Sequence, residues 1–188
     1  LFYNAKLCFG NLTDSEIDER VKALLHNVGL GEASHLRVGN ALSTSISGGQ
    51  RKRLNIALEL IRAPEVLFVD EPTSGLSSLD SENVMDMLKQ LANHGKLVFV
   101  VIHQPSSDIF KMFDKLFVLD IGGFPAYFGN PVDSLLYFKQ RASFADADYS
   151  ECGTCGNINP EQVFSILESK VMDEFGNPTQ QRKLTPSD

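Results

Sequence analysis

The residues best suited to catalysis or metal binding include two acidic side chains and one histidine, which follow apolar runs directly. Asp70 and Glu71 follow the run Val66 to Val69, and His103 follows the run Leu97 to Ile102. Carboxylates at the carboxyl end of a buried strand face the crevice where ligands of open α/β sheets bind. One carboxylate there can hold Mg²⁺, the other can orient a water, and a histidine can reach the same crevice.

A second stretch of chemical interest is Ser47-Gly48-Gly49-Gln50. A serine three residues before a glutamine is typical of a helix capping box, and two glycines leave the first helical N–H groups uncovered. An anion such as a triphosphate can approach the positive end of that helix. Each signal alone also fits ordinary structure: a Ser-Gly-Gly turn, a solvated Asp-Glu corner or a hydrogen-bonded histidine. Their order and spacing together favour a nucleotide site.

The elements that must position these residues alternate between helices and strands. Apolar periodicity and capping residues predict helices over residues 13–28, 47–63, 81–94, 107–113, 131–139 and 159–174. Asp80 or Ser81 is expected to cap the third of these helices. Wholly apolar runs predict buried strands at 66–69, 97–102 and 116–119, with an antiparallel edge strand at 126–128 and a disordered tail from Asn177. Strands separated by helices imply right-handed crossovers and a mainly parallel sheet.

Composition excludes several classes of function. The net charge of -7 argues against a general nucleic-acid binder, because affinity for the phosphate backbone comes from clustered Lys and Arg. No apolar run has the roughly 18 to 20 residues needed to span a bilayer. Three cysteines do not make a disulfide framework, which favours a reducing, cytosolic setting. The chain begins at Leu1 without a methionine, so we expect it to be part of a longer protein.

Cys152 and Cys155 form a Cys-x-x-Cys pair in the polar stretch 141–159. A structural zinc site would need two more ligands, and neither Cys8 nor the four histidines show a matching spacing. We therefore expect an exposed loop here, with metal binding as the alternative.

Several motifs together resemble the ATP-binding cassette (ABC) ATPase family over about Leu1 to Gln140. They resemble most its G-type (White-like) subfamily, through Ile46-Ser-Gly-Gly-Gln-Arg-Lys-Arg, Glu71-Pro-Thr-Ser-Gly-Leu, His103-Gln-Pro-Ser, Tyr127-Phe-Gly and Tyr137-Phe. The resemblance implies a partial P-loop NTPase domain of the α/β class: a helical subdomain over 1–63 and the second half of a RecA-like sheet with flanking helices over 64–140. Residues 141–188 would then be a linker, a C-terminal helix and a flexible tail.

The resemblance also implies roles for individual residues, with ATP and Mg²⁺ as the bound species. Asp70 would be the Walker B carboxylate near Mg²⁺, Glu71 the general base, and His103 the switch histidine that contacts the γ-phosphate. The signature motif for ATP would comprise Ser47, Gly48, Gly49 and Gln50, and the D-loop would include Ser74, Gly75, Leu76, Ser77 and Asp80. Ser77 stands where the family usually has Asp, which leaves the D-loop's contact with a partner domain open.

The phosphate-binding pattern Gly-x-x-x-x-Gly-Lys-[Ser/Thr] does not occur in this sequence. The Gly95-Lys96 pair lacks the rest of that pattern and fits a helix-to-strand turn, and the Q-loop of the family would lie upstream of Leu1. The resemblance implies a head-to-tail dimer with a second ABC ATPase domain. It also implies attachment to a transmembrane domain at the cytoplasmic face, and an exporter that hydrolyses ATP, while these residues alone would be inactive.

Two alternatives share part of this chemistry. A soluble ABC ATPase of DNA repair or translation has the same signature and Walker B residues, although the His-Gln-Pro-Ser and Tyr-Phe-Gly motifs favour the transporter. A non-catalytic interaction module could use the same scaffold, but it would not need the general base Glu71 or the histidine His103.

Overall fold

The structure, a computed structural model, describes residues 1–39, 45–143 and 149–185. The chain divides into two compact units, Leu1–His103 and Gln104–Asp188. Each unit is described by itself below.

The first unit contains four helices and two strands among its described residues. They are α1 (Phe2–Cys8), α2 (Asp14–Asn27), α3 (Gly48–Leu60), β1 (Val66–Asp70), α4 (Ser78–Asn93) and β2 (Leu97–Val101). The predicted capping box at the start of α2 is present, because Thr13 and Glu16 exchange side-chain and backbone hydrogen bonds. A core cluster of Ala5, Ile17, Val21 and Ile61 joins α1, α2 and the end of α3. The seven-residue helix α1 was not predicted, and it has no side-chain cap that would signal it.

Strands β1 and β2 pair in parallel, as predicted, with α4 as the crossover between them. The register runs without a break from Val66 opposite Leu97 to Asp70 opposite Val101. On one face of this pair the rings of Phe68 and Phe99 stack with centroids 4.8 Å apart. Both rings are exposed, so the parallel pair keeps an apolar face open within this unit.

Helix α4 begins earlier than the sequence predicted. Its N-cap is Ser77, whose hydroxyl accepts a hydrogen bond from the backbone N–H of Asp80 at 3.2 Å. The expectation that Asp80 or Ser81 caps this helix is therefore wrong. Asp80 lies at the third helical position instead, where a carboxylate also interacts well with the helix dipole.

The Gly95-Lys96 pair forms the turn between α4 and β2, as the sequence interpretation expected. Gly95 adopts a φ of 88°, a left-handed conformation that glycine reaches without strain. The Lys96 ammonium donates a hydrogen bond to the carbonyl oxygen of Pro64 at 2.6 Å. This lysine therefore ties β2 to the segment before β1.

The second unit contains three helices, four strands and a short 3₁₀ turn among its described residues. They are α5 (Ser107–Lys111), β3 (Leu116–Leu119), the 3₁₀ turn Ile121–Gly123, β4 (Pro125–Gly129), α6 (Pro131–Arg141), α7 (Glu161–Leu167), β5 (Lys170–Met172) and β6 (Pro178–Arg182). Strand β4 pairs antiparallel with β3, as predicted for the edge strand. Over the described ranges the strands form three separate two-stranded sheets, of which β1–β2 alone is parallel, where the sequence predicted one mainly parallel sheet.

The C-terminal region differs most from the sequence prediction. Helix α7 ends at Leu167, and the following residues form an antiparallel hairpin of β5 and β6 where a continued helix and a disordered tail were expected. The guanidinium of Arg182 accounts for this order: it bonds the carbonyl of Leu167 and pairs with Asp120 at 3.0 Å. Leu184 is also buried in the core of this unit. The parts of the predicted linker and tail at 144–148 and 186–188 lie outside the described residues.

The Arg182–Asp120 pair lies largely out of solvent, with side-chain exposures of 20% and 7%. Burial acts to raise the pKa of Asp120, but hydrogen bonds from Arg182 and the Ile121 N–H, with the Arg182 charge, outweigh it and lower that pKa below its ordinary value. The carboxylate therefore contributes stability above the unfolded pKa of about 3.9, and loses it as the pH falls through the lower folded pKa.

We expect Arg182→Met to lower the free energy of opening of the β5–β6 hairpin by about 2 kcal/mol at pH 7, because it leaves a buried carboxylate without its charged donor. Hydrogen exchange of the β6 amides measures this. The difference in this opening free energy between the variant and the unsubstituted chain should become smaller as the pH drops below about 4. Lys170→Met, which removes an exposed cation from the same hairpin, is the control and should change exchange little. Equal protection in both variants would mean that the ion pair does not order the hairpin.

Candidate functional site

The structure brings the predicted metal ligand and the two predicted catalytic residues to one edge of the β1–β2 pair. Asp70 is the last residue of β1 and lies opposite Val101, the last residue of β2. The backbone N–H of Glu71 donates to the carbonyl oxygen of Val101 at 2.8 Å. His103 follows two residues after Val101. Because both strands run in the same direction, Asp70, Glu71 and His103 all emerge at the carboxyl edge, and all three are exposed.

The backbone at Glu71 leaves the strand abruptly. Glu71 has a φ of 43°, in the left-handed region that non-glycine residues seldom occupy. Such conformations cost of order 1–3 kcal/mol and persist where the surroundings enforce them. Here the N–H bond to Val101 fixes one side of Glu71, and the fully buried ring of Pro72 fixes the other. The carboxylate of Glu71 is thus carried on a constrained turn.

The glycine-rich stretch begins helix α3, as predicted. Ser47 is the N-cap: its backbone N–H donates to the Gln50 side-chain oxygen at 2.9 Å, and its hydroxyl accepts from the Gln50 N–H at 3.1 Å. The two glycines differ, however, because Gly48 is exposed and Gly49 is buried. The uncovered helix start that could receive an anion is therefore formed by Ser47 and Gly48.

Gly49 is required by a close approach to the start of α4. A Cβ at this position would lie 2.3 Å from Oδ1 and 2.6 Å from Cγ of Asp80, so any side chain here would force the Asp80 side chain to move. A Cβ on Gly48 would meet a Leu76 methyl at 3.3 Å. The stretch 47–50 and the segment Ser74 to Asp80 therefore pack against each other within this unit.

The segment from Ser74 to Asp80 is a turn followed by the first residues of α4. The Ser74 N–H donates to the Glu71 carbonyl, and Gly75 has a φ of 73°. Ser77 and Asp80 form a reciprocal pair, in which the Ser77 hydroxyl donates to Asp80 Oδ2 and accepts from the Asp80 N–H, both at 3.2 Å. This pairing fixes the Asp80 carboxylate in its position beside Gly49.

The described residues contain no group of three or more His, Cys, Asp or Glu side chains placed to bind a metal ion. The edge with Asp70, Glu71 and His103 is therefore not a three-ligand metal cage. Mg²⁺ commonly takes one or two protein carboxylates and completes its shell with water and substrate phosphates. The donors at this edge suit that kind of site.

Two features of this region were missed by sequence reasoning. The contact of Gly49 with Asp80 joins residues far apart in the chain, and no local pattern signals it. The Nε of Arg53 on α3 is buried and has no hydrogen-bond partner among the described residues. The sequence shows Arg53 only as one of three basic residues after Gln50.

Comparison with known protein families shows which family has these features. Residues 2–74, which include the stretch 47–50 and both acidic residues, match the ABC transporter family. "ABC transporter G family member 22" of Arabidopsis thaliana is 36% identical over 182 residues, 94% of this chain and 24% of that protein. The chain is part of a G-subfamily ABC ATP-binding domain. Its resemblance to that subfamily is thereby confirmed.

Two other relatives of this ABC chain are a plant and an animal protein whose names place them in the G subfamily. "ABC transporter G family member 13" of Arabidopsis thaliana is 44% identical over 129 residues, which are 69% of this chain and 19% of that protein. The "Broad substrate specificity ATP-binding cassette transporter ABCG2" of Bos taurus is 39% identical over 179 residues, 93% of this chain and 27% of that protein. The chain thus spans about a fifth to a quarter of the length of these relatives.

A solved ATP-binding cassette of an ABC transporter shares the fold of this ABC chain. The two align with a TM-score of 0.54 over 61% of this chain and 43% of the solved chain, at 22% sequence identity. The α/β class and the partial ABC architecture are therefore confirmed. None of the helices in the described ranges is long and apolar enough to cross a membrane.

We expect Gly49→Ala to destabilise the first unit by about 1–3 kcal/mol, because its Cβ overlaps Asp80 and overpacking typically costs that much. Gly48→Ala should be much milder, since its closest contact would be 3.3 Å. Urea unfolding of the two variants compares them. Adding Asp80→Ala to Gly49→Ala removes the two closest atoms and should recover part of the loss. If the double variant lost as much stability as the two single variants lose together, the overlap would be refuted.

Proposed function

We propose that this chain is the part of a transporter ATPase domain that supplies the signature motif and the two acidic residues of the catalytic site. ATP binding and hydrolysis by that domain would drive export of a substrate across a membrane. The observation that carries the proposal is the shared edge of β1 and β2, where Asp70, Glu71 and His103 emerge together. A binding module has no chemical need for this set of groups at one edge.

Asp70 is the candidate ligand of Mg²⁺. Its carboxylate is a hard oxygen donor, it is exposed, and the unbroken register places it at the strand end. When bound, Mg²⁺ would neutralise charge on the phosphates of ATP. Asp70 would position the ion on the strand side of the site.

Glu71 is the candidate general base. Its exposed carboxylate can accept a proton from an attacking water, whereas its backbone is fixed by Val101 and Pro72. The constrained backbone fixes the point from which this carboxylate projects. His103, one strand away, would contribute a hydrogen bond to the outermost phosphate of the substrate.

The start of α3 is the candidate phosphate contact that this chain offers to a second ATPase domain. The exposed Ser47 and Gly48 lie at the positive end of a 13-residue helix, where anions are stabilised. The chain has no phosphate-binding loop of its own, so ATP gripped by that loop in a partner domain would meet this helix start. Residues Ser74 to Asp80 pack beside it and would face the same partner.

The wider arrangement follows from these roles. Residues 1–140 would be the ATPase portion and 141–188 a C-terminal extension, which the described hairpin β5–β6 shows to be partly ordered. The domain would lie at the cytoplasmic face of a membrane, attached to a transmembrane domain of the same transporter. No nucleic-acid partner is proposed, because the net charge is -7.

In the whole transporter, Glu71→Gln should slow ATP hydrolysis by about 10² to 10⁴ while leaving ATP binding in place, because an amide keeps the shape of the carboxylate but accepts no proton. Asp70→Asn should instead raise the Mg²⁺ concentration needed for activity. Steady-state hydrolysis over a magnesium titration, together with nucleotide trapping, separates the two effects.

Glu65→Gln is the matched control for both variants. Glu65 is an exposed acid directly before β1, at the opposite end of the strand from Asp70, so hydrolysis should stay near the parental rate. If Glu71→Gln hydrolysed ATP as fast as this control, the base would have to be another group.

The 188 residues alone should bind ATP only weakly and with strong salt sensitivity, because they contain no phosphate-binding loop. Isothermal titration calorimetry of Mg-ATP into this chain tests the expectation. A micromolar dissociation constant would mean that another part of the chain grips the nucleotide.

A further inference from the structure

Cys152 and Cys155 lie on one tight turn in the second unit, which we call the dithiol turn, residues 152–157. The Gly156 N–H donates to the Cys152 carbonyl at 2.8 Å, and the Cys152 N–H donates to the Asn157 carbonyl at 2.9 Å. Residues three apart in a helix-like turn have Cβ atoms about 5–6 Å apart. A disulfide needs Cβ atoms about 3.5–4.5 Å apart, so the two exposed side chains must approach by about 1–2 Å for the bond to form.

The two sulfur atoms are not equivalent. The pKa of Cys152 lies below its ordinary value, because the backbone N–H groups of Cys155 and Thr154, with the Cys155 thiol and the Thr154 hydroxyl, stabilise its thiolate more than burial disfavours it. The lower pKa makes Cys152 the attacking nucleophile, and Cys155 is then the resolving thiol.

The dithiol turn is open to reagents but fixed at its base. Both cysteines are exposed. On helix α5, the Lys111 ammonium donates to the Gly156 carbonyl at 2.6 Å and pairs with Glu151 at 2.9 Å. The N–H of the buried residue Ile158 donates to the Ser107 hydroxyl at 3.0 Å.

We propose that the dithiol turn is a thiol–disulfide exchange site that accepts low-molecular-weight disulfides, for which glutathione disulfide is the probe. The Cys152 thiolate attacks one sulfur of the disulfide, a mixed disulfide forms, and one thiolate leaves. Cys155 then loses its proton, attacks the Cys152 sulfur, and releases the second thiolate. Two cysteine thiols and one disulfide become one intramolecular disulfide and two free thiols, with two electrons and two protons transferred to the reagent.

Exchange fits this pair better than metal binding does. No third ligand stands near the two sulfurs in a metal-binding arrangement anywhere in the described ranges. Disulfides of reducing compartments are mostly transient and redox-sensing, which suits an exposed pair with one activated sulfur.

The test exposes the reduced full chain to glutathione disulfide, quenches the reaction with acid, and determines the mass of the peptide that contains both cysteines. The unsubstituted chain should give the intramolecular disulfide with no glutathione retained. Cys155→Ser should keep one glutathionyl group on Cys152, because the resolving thiol is gone. Cys152→Ser should react more slowly than Cys155→Ser, because the lowered pKa of Cys152 raises its thiolate fraction more than it lowers its nucleophilicity.

Cys8→Ser is the matched control and should behave as the unsubstituted chain. Cys8 is half-buried in the first unit, and its sulfur accepts a hydrogen bond from Arg62 Nε at 3.3 Å. Circular dichroism checks that each serine variant keeps its fold. A peptide that retains two glutathionyl groups, or two single variants that react at equal rates, would overturn the proposal.

Discussion

The parallel register of β1 and β2 is the constraint on which the candidate site depends. Five residue pairs are in step from Val66 and Leu97 to Asp70 and Val101, and the Glu71 N–H extends the ladder by one bond. A slip of one residue would turn every side chain to the opposite face of the sheet. It would also move the acidic pair along the sheet relative to His103. The chemistry at this edge is therefore a consequence of backbone pairing more than of contacts between the acidic side chains.

Sequence reasoning located two helix starts whose capping partners lie within one helical turn, although it misplaced the cap of α4, which is Ser77. Thr13 with Glu16, and Ser47 with Gln50, form complete capping boxes, and the first residues of α2 and α3 follow from them. It failed where the partner is remote. The order of β6 rests on Arg182, which meets Asp120 from 62 residues away, so a polar segment read as a disordered tail is a strand.

The site shows the same division between residue types and their neighbours. The types and order of Ser47, Asp70, Glu71 and His103 were sufficient to suggest a nucleotide site, because each lies at the end of a strand or the start of a helix. The different roles of Gly48 and Gly49 were not visible, since both read as a flexible turn. Only the tertiary approach of α4 makes one glycine a packing requirement and leaves the other exposed.

The serine at position 77 can be understood through the same approach. An ionised aspartate there would still accept the N–H bond that starts α4, because aspartate is also a favoured N-cap. It could not donate to the Asp80 carboxylate, as the Ser77 hydroxyl does, and it would place a second negative charge beside it. Asp80 would then be freer to leave its position against Gly49. Compared with an aspartate, Ser77 therefore removes one negative charge from this surface and stabilises the contact between the start of α4 and the start of α3.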